Sequence, residues 1–220
     1  MTGDRLEPPT DQALLWYAAY GSNLHLARLT SYLAGGRPAG GARVYPGCRD
    51  PRPPRDSRPI RLPGLLYFAL ESAVWTGGMA FYDPDTPDGR AGTAARAYLI
   101  TAAQLSDLAA QEMRRRPGTD LDLREVLREG RAVLGPGRYE TLVHPGDLEG
   151  RPLLTFTAPW HLAQAPLAPP SAPYLRHLAA GLRETHGWDT ATIAAYLSTR
   201  PGAVGHWSAG RLAELLADPI

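Results

Sequence analysis

Residues 17–24, which read YAAYGSNL, have the types and order that would bind an anionic group. An apolar run ends at Gly21, and Ser22 and Asn23 follow before a helical pattern begins. Gly21 lets a ligand approach the backbone closely, and Ser22 or Asn23 can cap the following helix. The unpaired N–H groups at a helix start favour an anion or a developing oxyanion. The segment therefore predicts a strand, a tight turn and a helix start that together form a ligand cradle.

A carboxylate able to move a proton is predicted at Glu112, near the end of a helix expected over 102–115. Glu112 lies three and four residues after Ala109 and Leu108, so it shares their inward, apolar face. Burial of a carboxylate is costly unless the group is paired or used, and burial raises its pKa toward the range of a general base. The alternative is an ion pair with one of the arginines at 114–116 or with a distant arginine, and the residues alone favour this structural role.

A third candidate lies in the segment SAVWTGG, residues 72–78. Gly77 and Gly78, at the start of a predicted strand, let a ligand or another stretch of backbone approach closely. Trp75 is placed to wall a pocket. The alternative is an ordinary connecting turn with a core tryptophan.

The elements that must position these residues indicate an α+β fold, with a small mixed, barrel-like sheet flanked by helices. The Pro- and Arg-rich segment 48–59 is predicted to be a surface loop, residues 145–150 a hairpin turn, and Thr101 a helix cap. Strands are predicted at 15–20, 42–45, 64–70, 77–82, 93–100, 139–143 and 152–157, and helices at 24–33, 102–115, 122–129, 172–185, 190–197 and 208–216.

Composition narrows the class of protein. The 220 residues are 44% hydrophobic and 20% charged, as in a soluble globular protein, and the formal net charge of +1 argues against nucleic-acid or membrane partners. The single cysteine, Cys48, and the absence of a signal-like apolar stretch favour a cytoplasmic protein. We expect a loose leader at 1–13, one domain at 14–188, and a helical extension at 189–220 packed on that domain.

Other patterns carry less chemistry. The six histidines are not at metal-ligand spacing, so no metal is expected. Arginines recur at every third position over 49–61, but no aromatic residues interleave with them to stack on bases. The turn at Gly21 matches neither G-x-G-x-x-G nor a P-loop, so no nucleotide is expected either.

Together these segments resemble the γ-glutamylcyclotransferase-like superfamily. YGSNL after a hydrophobic strand, the pattern S-x-x-W-x-G-G-M-A at 72–80, and a helix with Gln-Glu near its end occur in the order and rough spacing of that family. Tyr139, in GRYETLV, matches a tyrosine that the family places at a strand start, and residues 168–187 match a later segment. The resemblance covers about residues 15–188.

This resemblance implies intramolecular aminolysis of a γ-glutamyl amide, which releases 5-oxoproline and a free amine, with Glu112 as general acid and base. The nucleophile is the substrate's own α-amine, so no cofactor, metal or nucleophilic side chain is implied. The turn would hold either the α-carboxylate or the oxyanion. The substrate-binding residues implied are Tyr20, Gly21, Ser22, Asn23, Leu24, Trp75, Gly77, Gly78 and Tyr139.

One departure concerns the stretch between Glu112 and Tyr139, which is longer than in short members of the family. This insert, residues 113–138, either shapes a different amine pocket or forms a solvated helical hairpin. A second class of function also stays open, in which a non-catalytic domain of the same fold uses the cradle for an acidic ligand. The sequence indicates no oligomeric state.

Overall fold

The computed structural model describes residues 13–37, 44–72, 74–87 and 92–217. Its strands are β1 (Leu14–Ala19), β2 (Asp56–Leu62), β3 (Leu65–Ala69), β4 (Met79–Asp83), β5 (Thr93–Thr101), β6 (Arg131–Val133), β7 (Thr141–Leu148) and β8 (Arg151–Thr157). Its α-helices are α1 (Leu26–Ala34), α2 (Ala102–Glu112), α3 (Arg124–Glu129), α4 (Ala172–His186), α5 (Thr190–Ser198) and α6 (Ala209–Ala217). Residues 1–12 of the predicted leader lie outside the described residues.

Six strands form one mixed sheet in the order β2-β5-β1-β8-β7-β6, and β3 pairs with β4 in a separate antiparallel hairpin. Strand β1 runs parallel to β8 and antiparallel to β5. The predicted α+β class with a mixed sheet flanked by helices is confirmed. In the described part of the chain β2 and β6 are edge strands, so the sheet does not close into a barrel.

Strand β1 lies in the middle of the sheet and is buried on both faces. Leu15 and Tyr17 join a core with α1 and α2, whereas Trp16 and Ala18 join a core with α4, α5 and α6. Successive side chains of a strand point to opposite faces, so a strand covered on both sides must be apolar throughout. The turn at Gly21 therefore leaves from the centre of the molecule, between two helical layers.

Helix α2 begins and ends with defined motifs. The Oγ1 atom of Thr101 accepts a hydrogen bond from the Gln104 backbone N–H at 3.1 Å, and Gln104 Oε1 accepts from the Thr101 N–H at 3.0 Å. This capping box confirms the predicted cap. At the other end, the N–H of Arg115 donates to the Ala110 carbonyl at 2.7 Å and that of Arg114 to the Gln111 carbonyl at 3.2 Å, which is a Schellman motif.

The Schellman motif ends α2 three residues earlier than predicted, at Glu112. Arg114 occupies the left-handed position of the motif, with φ of 57°. The side chain of Glu112 therefore leaves the helix at its last turn, where the chain reverses direction.

Two local predictions are wrong. Residues 56–59 are part of β2 rather than a loop, and Pro59 is tolerated there because β2 is an edge strand. The hairpin turn between β7 and β8 is Glu149-Gly150 alone, because β7 continues through Pro145 with a register shift between Val143 and Gly146. Of the strand predicted at 42–45, residues 42 and 43 lie outside the described residues, and Tyr45 forms an isolated bridge to Gly36.

The C-terminal helices pack on the same core as the sheet. Ile193 and Leu197 of α5 and Leu212 of α6 are completely buried in the cluster that contains Trp16. In the described part of the chain, no helix has both the length and the hydropathy needed to cross a bilayer.

Candidate functional site

A cavity of about 310 Å³ opens where the turn after β1 meets the end of α2, the loop before β7 and the start of α4. Its volume lies at the lower end of the range for small-molecule sites. The structure brings together at this cavity seven of the predicted site residues, namely Tyr20, Gly21, Ser22, Asn23, Trp75, Glu112 and Tyr139. Leu24, Gly77 and Gly78 do not line it.

The turn itself differs from the prediction. Ser22–Leu24 form one turn of 3-10 helix, and α1 begins only at Leu26. The predicted capping by Ser22 or Asn23 is wrong, since neither side chain caps α1 and its N-cap is His25, without a side-chain hydrogen bond. The amide of Asn23 instead donates to the Tyr17 hydroxyl at 3.2 Å.

The carbonyl groups of the turn are held by side chains from two other elements. The Ser22 carbonyl accepts from His177 Nε2 of α4 at 2.9 Å. The Asn23 carbonyl accepts from the Tyr98 hydroxyl of β5 at 2.8 Å, and the same hydroxyl lies 3.2 Å from the Leu24 carbonyl. These contacts fix the turn from the side of α4 and β5.

The opposite side of the turn carries backbone donors. Across a trans peptide the C=O of one residue and the N–H of the next point in opposite directions, so the N–H of Asn23 points away from His177. No hydrogen bond to another described residue occupies the backbone N–H groups of Ser22 and Asn23. The turn therefore presents donors of the kind that bind a carboxylate or an oxyanion.

Leu24 belongs to the packing of the turn. It is 2% exposed, and a Cβ added to Gly181 of α4 would lie 2.7 Å from the Cβ of Leu24. Gly181 thus lets α4 come close enough to seat Leu24 and to bring His177 to the turn.

Gly77 and Gly78 pack closely against another stretch of backbone. The N–H of Gly78 donates to the Pro169 carbonyl at 2.8 Å. A Cβ on Gly77 would lie 2.7 Å from the Ser171 nitrogen, and a Cβ on Gly78 would overlap the Ala168 carbonyl oxygen. The close approach predicted for these glycines is made by residues 168–171, not by the cavity.

Trp75, in the same segment, does line the cavity. Its ring lies 5.2 Å from that of Tyr174 and 5.1 Å from that of His177. The buried hydroxyl of Ser72 accepts hydrogen bonds from the backbone N–H groups of Val74 and Trp75, at 3.1 and 3.0 Å, and so fixes the tryptophan backbone.

Glu112 is half-buried among tyrosines. Burial raises the pKa of four tyrosine hydroxyls above the ordinary value, and the negative charge of Glu112 raises each of them further; they are Tyr17, Tyr32, Tyr139 and Tyr174. These hydroxyls therefore stay protonated at neutral pH. They act as hydrogen-bonding walls and not as bases.

Two of the tyrosines in the wall are fixed to backbone carbonyls. The Tyr139 hydroxyl donates to the Ala80 carbonyl at 2.8 Å, and the Tyr20 hydroxyl donates to the Phe156 carbonyl at 2.6 Å. Tyr139 lies two residues before β7 begins, close to the strand start at which it was predicted. The rings of both residues are thereby held at the edge of the cavity.

Other reactive groups fit the role of base less well. The second carboxylate at the cavity, Glu140, is 9% exposed and accepts from Arg115 Nη2 and from the Gly137 N–H, both at 3.1 Å. Burial raises the pKa of Cys48 to about 12, and this thiol does not line the cavity. Burial lowers the pKa of His177, which donates to the turn as a neutral ring. Each of these groups is therefore held by other residues or lies away from the cavity.

Three arginines that were not among the predicted site residues line the cavity, namely Arg28, Arg114 and Arg138. The last two lie in the insert 113–138, for which a role in shaping an amine pocket was one of two expectations. Arg28 Nη2 donates to the Tyr45 hydroxyl at 2.5 Å, and its guanidinium lies 4.9 Å from the centre of that ring. Arg28 lies four residues after Leu24, so the helical period could have placed it near the site. No sequence signal brings Arg114 and Arg138 together.

A group of potential metal ligands lies elsewhere, formed by Asp83, Asp85 and His161. Both carboxylate oxygens of Asp83 accept hydrogen bonds, from the Asp85 N–H at 2.9 Å, from Thr86 Oγ1 at 3.0 Å and from the Leu162 N–H at 2.8 Å. Through these bonds Asp83 stabilises the loop after β4. None of the three potential ligands lines the cavity.

No family model matches the sequence. The chain is 30% identical over 188 residues to Histone deacetylase 5 of Arabidopsis thaliana, an alignment that covers 77% of this chain and 28% of that protein. The chain thus spans little more than a quarter of that relative's length.

Two solved structures are similar in fold. An uncharacterized protein from Homo sapiens has a TM-score of 0.48 at 15% identity, with 93% of this chain and 99% of that one covered. A structure named gamma-glutamyl cyclotransferase has a TM-score of 0.47 at 16% identity, with 92% and 98% covered. Both likenesses concern the fold alone.

Proposed function

We propose that this protein is a γ-glutamylcyclotransferase-like enzyme, which converts a γ-glutamyl amide into 5-oxoproline and a free amine. The observation that supports this best is the shared cavity, because a half-buried carboxylate, Glu112, lines it together with the turn at Gly21, Ser22 and Asn23. A base and a set of backbone donors on one small cavity are the two parts that intramolecular aminolysis needs.

The reaction needs proton transfer but no nucleophile from the protein. The substrate's α-ammonium loses a proton to Glu112, and its nitrogen attacks the side-chain carbonyl carbon to form a tetrahedral intermediate. The bond from that carbon to the amide nitrogen then breaks. One of the three ammonium protons stays on the lactam nitrogen, and two end on the released amine as R–NH₃⁺. Glu112 carries protons between the two nitrogens, as base and then as acid.

The turn has one of two partners in this scheme. Its backbone donors at Ser22 and Asn23 bind either the α-carboxylate of the γ-glutamyl group or the oxyanion of the intermediate. In both cases they hold the γ-glutamyl group of the substrate bent, with its amine near the carbonyl carbon. This orientation contributes to the rate. His177 and Tyr98 support this role, since they fix the turn carbonyls on the other side.

The aromatic wall complements the charged groups. Tyr20, Trp75 and Tyr139 surround the cavity with rings whose positions are fixed by hydrogen bonds or ring contacts. Such a wall keeps water away from the intermediate and strengthens the electrostatic contacts inside. The volume of about 310 Å³ suits a small molecule.

The test is release of 5-oxoproline from a panel of γ-glutamyl amides by the wild type and by Glu112→Gln. Loss of the acid-base group is expected to lower kcat by about 10²- to 10⁴-fold. Glu129→Gln, a change of the same kind at an exposed helix residue away from the cavity, is the matched control and is expected to retain full activity.

The two outcomes separate the hypotheses. Release that persists at the wild-type rate in Glu112→Gln would contradict the mechanism. If the wild type releases 5-oxoproline from no member of the panel yet binds γ-glutamyl compounds by calorimetry, the protein is a binding domain and the enzymatic proposal is wrong.

A further inference from the structure

The two ends of the insert 113–138 meet at the cavity. Arg114, at its start, and Arg138, at its end, both line the cavity wall. Glu140 joins these ends, because its carboxylate accepts from Arg115 Nη2 and from the Gly137 N–H. The insert therefore contributes to the site at its ends, which a buried carboxylate joins through Arg115 and Gly137.

Arg138 has no acidic partner in the described part of the chain. It is half-buried, and its side-chain contact is Nη1 to the sulfur of Met79 at 3.4 Å. A thioether is a weak acceptor, which leaves most of the guanidinium donors for a ligand. Arg114 likewise forms no ion pair with another described residue. Arg28 differs, since it already donates to Tyr45.

The backbone at Arg114 adds to this observation. Its φ of 57° lies in the left-handed region, where the Schellman motif favours glycine. An arginine there carries conformational strain that a glycine would avoid, and its side chain lines the cavity.

The charges at the cavity exceed what a γ-glutamyl group requires. That group carries one carboxylate and one ammonium, and the turn and Glu112 provide a partner for each. Arg114 and Arg138 remain without a counterpart in it. We propose that these two arginines bind an anionic group on the amine half of the substrate, so that γ-glutamyl amides of acidic amines are preferred. This inference rests on the proposed function.

The test compares two substrates of nearly equal size, γ-glutamyl-glycine and γ-glutamyl-glycinamide, because only the first has an anionic group on its amine half. The wild type is expected to favour γ-glutamyl-glycine at least tenfold in kcat/KM, as for a charge-assisted hydrogen bond. Arg138→Gln is expected to bring the ratio close to one by raising KM for the acidic substrate alone. Arg114→Gln is expected to lower the ratio less, because this side chain is more exposed.

The matched control is Arg116→Gln, which removes the same charge from an exposed residue of the insert that does not line the cavity. It is expected to keep the wild-type preference. Circular dichroism establishes that each variant is folded. Equal turnover of both substrates by the wild type would overturn the inference and leave the proposed function standing, whereas turnover of neither, nor of any other γ-glutamyl amide, would overturn both.

Discussion

The turn after β1 and the Gly77-Gly78 segment before β4 look alike in sequence, yet they serve different purposes. Each places glycine beside a buried strand. At Gly21 a ligand was predicted to approach, and at Gly77 and Gly78 either a ligand or another stretch of backbone. At Gly21 the neighbouring carbonyls are held from one side and backbone donors remain on the other, beside a cavity. At Gly77 and Gly78 the space is filled by residues 168–171.

The comparison teaches that glycine marks a close approach without naming what approaches. The distinguishing feature is how backbone groups are satisfied. The N–H of Gly78 is bonded to the Pro169 carbonyl, so the segment is complete within the protein. The donors of Ser22 and Asn23 have no such bond to other described residues, so that turn is suited to an outside partner.

The largest expected effect is on the stability of Gly78→Ala. The new methyl group would overlap the Ala168 carbonyl, so backbone must move, and we expect a loss of about 3 kcal/mol in the free energy of unfolding. Urea denaturation measures it. Gly210→Ala, at an open helical site, is the control and should be neutral or stabilising by up to about 1 kcal/mol. Equal stability of both variants would refute the packing role of Gly78.

The second effect concerns activity at Gly21. A Cβ there would lie 3.5 Å from the Ala80 Cβ and 3.6 Å from the Tyr174 hydroxyl, which are ordinary contacts. Gly21→Ala should therefore fold with a stability change within about 1 kcal/mol. Because the methyl group enters the cavity, kcat/KM for 5-oxoproline release should fall at least about tenfold. A fully active Gly21→Ala would break the distinction between the two glycine segments.

A smaller effect is expected for Tyr98→Phe. It removes the donor to the Asn23 and Leu24 carbonyls, which should cost about 1 kcal/mol of stability and raise KM several-fold as the turn loosens. Tyr82→Phe is the control, because its hydroxyl donates to the Pro63 carbonyl and does not line the cavity. The same KM change in both variants would argue against a specific role of Tyr98 in holding the turn.

The smallest expected effect is on the stability of a variant at position 114, where the backbone suits glycine but arginine is present. Arg114→Gly should raise the free energy of unfolding by about 0.5–1 kcal/mol, since it relieves the left-handed backbone at the end of α2. Arg114→Ala keeps the strain and should bring no such gain. A thermal unfolding series decides, and a destabilised Arg114→Gly would show that the side chain supports the fold.

Much of the site's framework could be predicted because it depends on local pattern. The apolar run before Gly21 identified β1, and Thr101 with Gln104 identified the start of α2. Helical periodicity also predicted that the side chain of Glu112 faces the interior. The capping prediction at Ser22 and Asn23 failed because a 3-10 turn precedes α1, and periodicity cannot distinguish the two.

The rest depends on contacts between distant parts of the chain. The partner of Gly78 lies about ninety residues away, at 168–171, so no local pattern names it. The meeting of Arg114 and Arg138 depends on Glu140, which joins the ends of the insert through Arg115 and Gly137. The edge position that accommodates Pro59 likewise follows from sheet order, which the sequence of β2 does not contain.

The most direct test of the central claim is a crystal structure of Glu112→Gln with a γ-glutamyl amide bound. The account predicts the α-amine within hydrogen-bond distance of the substituted side chain at position 112, and a substrate oxygen on the N–H groups of Ser22 and Asn23. That oxygen, of the α-carboxylate or of the side-chain carbonyl, would also decide what the turn binds. A γ-glutamyl group bound outside the cavity, or with its amine out of reach of position 112, would contradict the account.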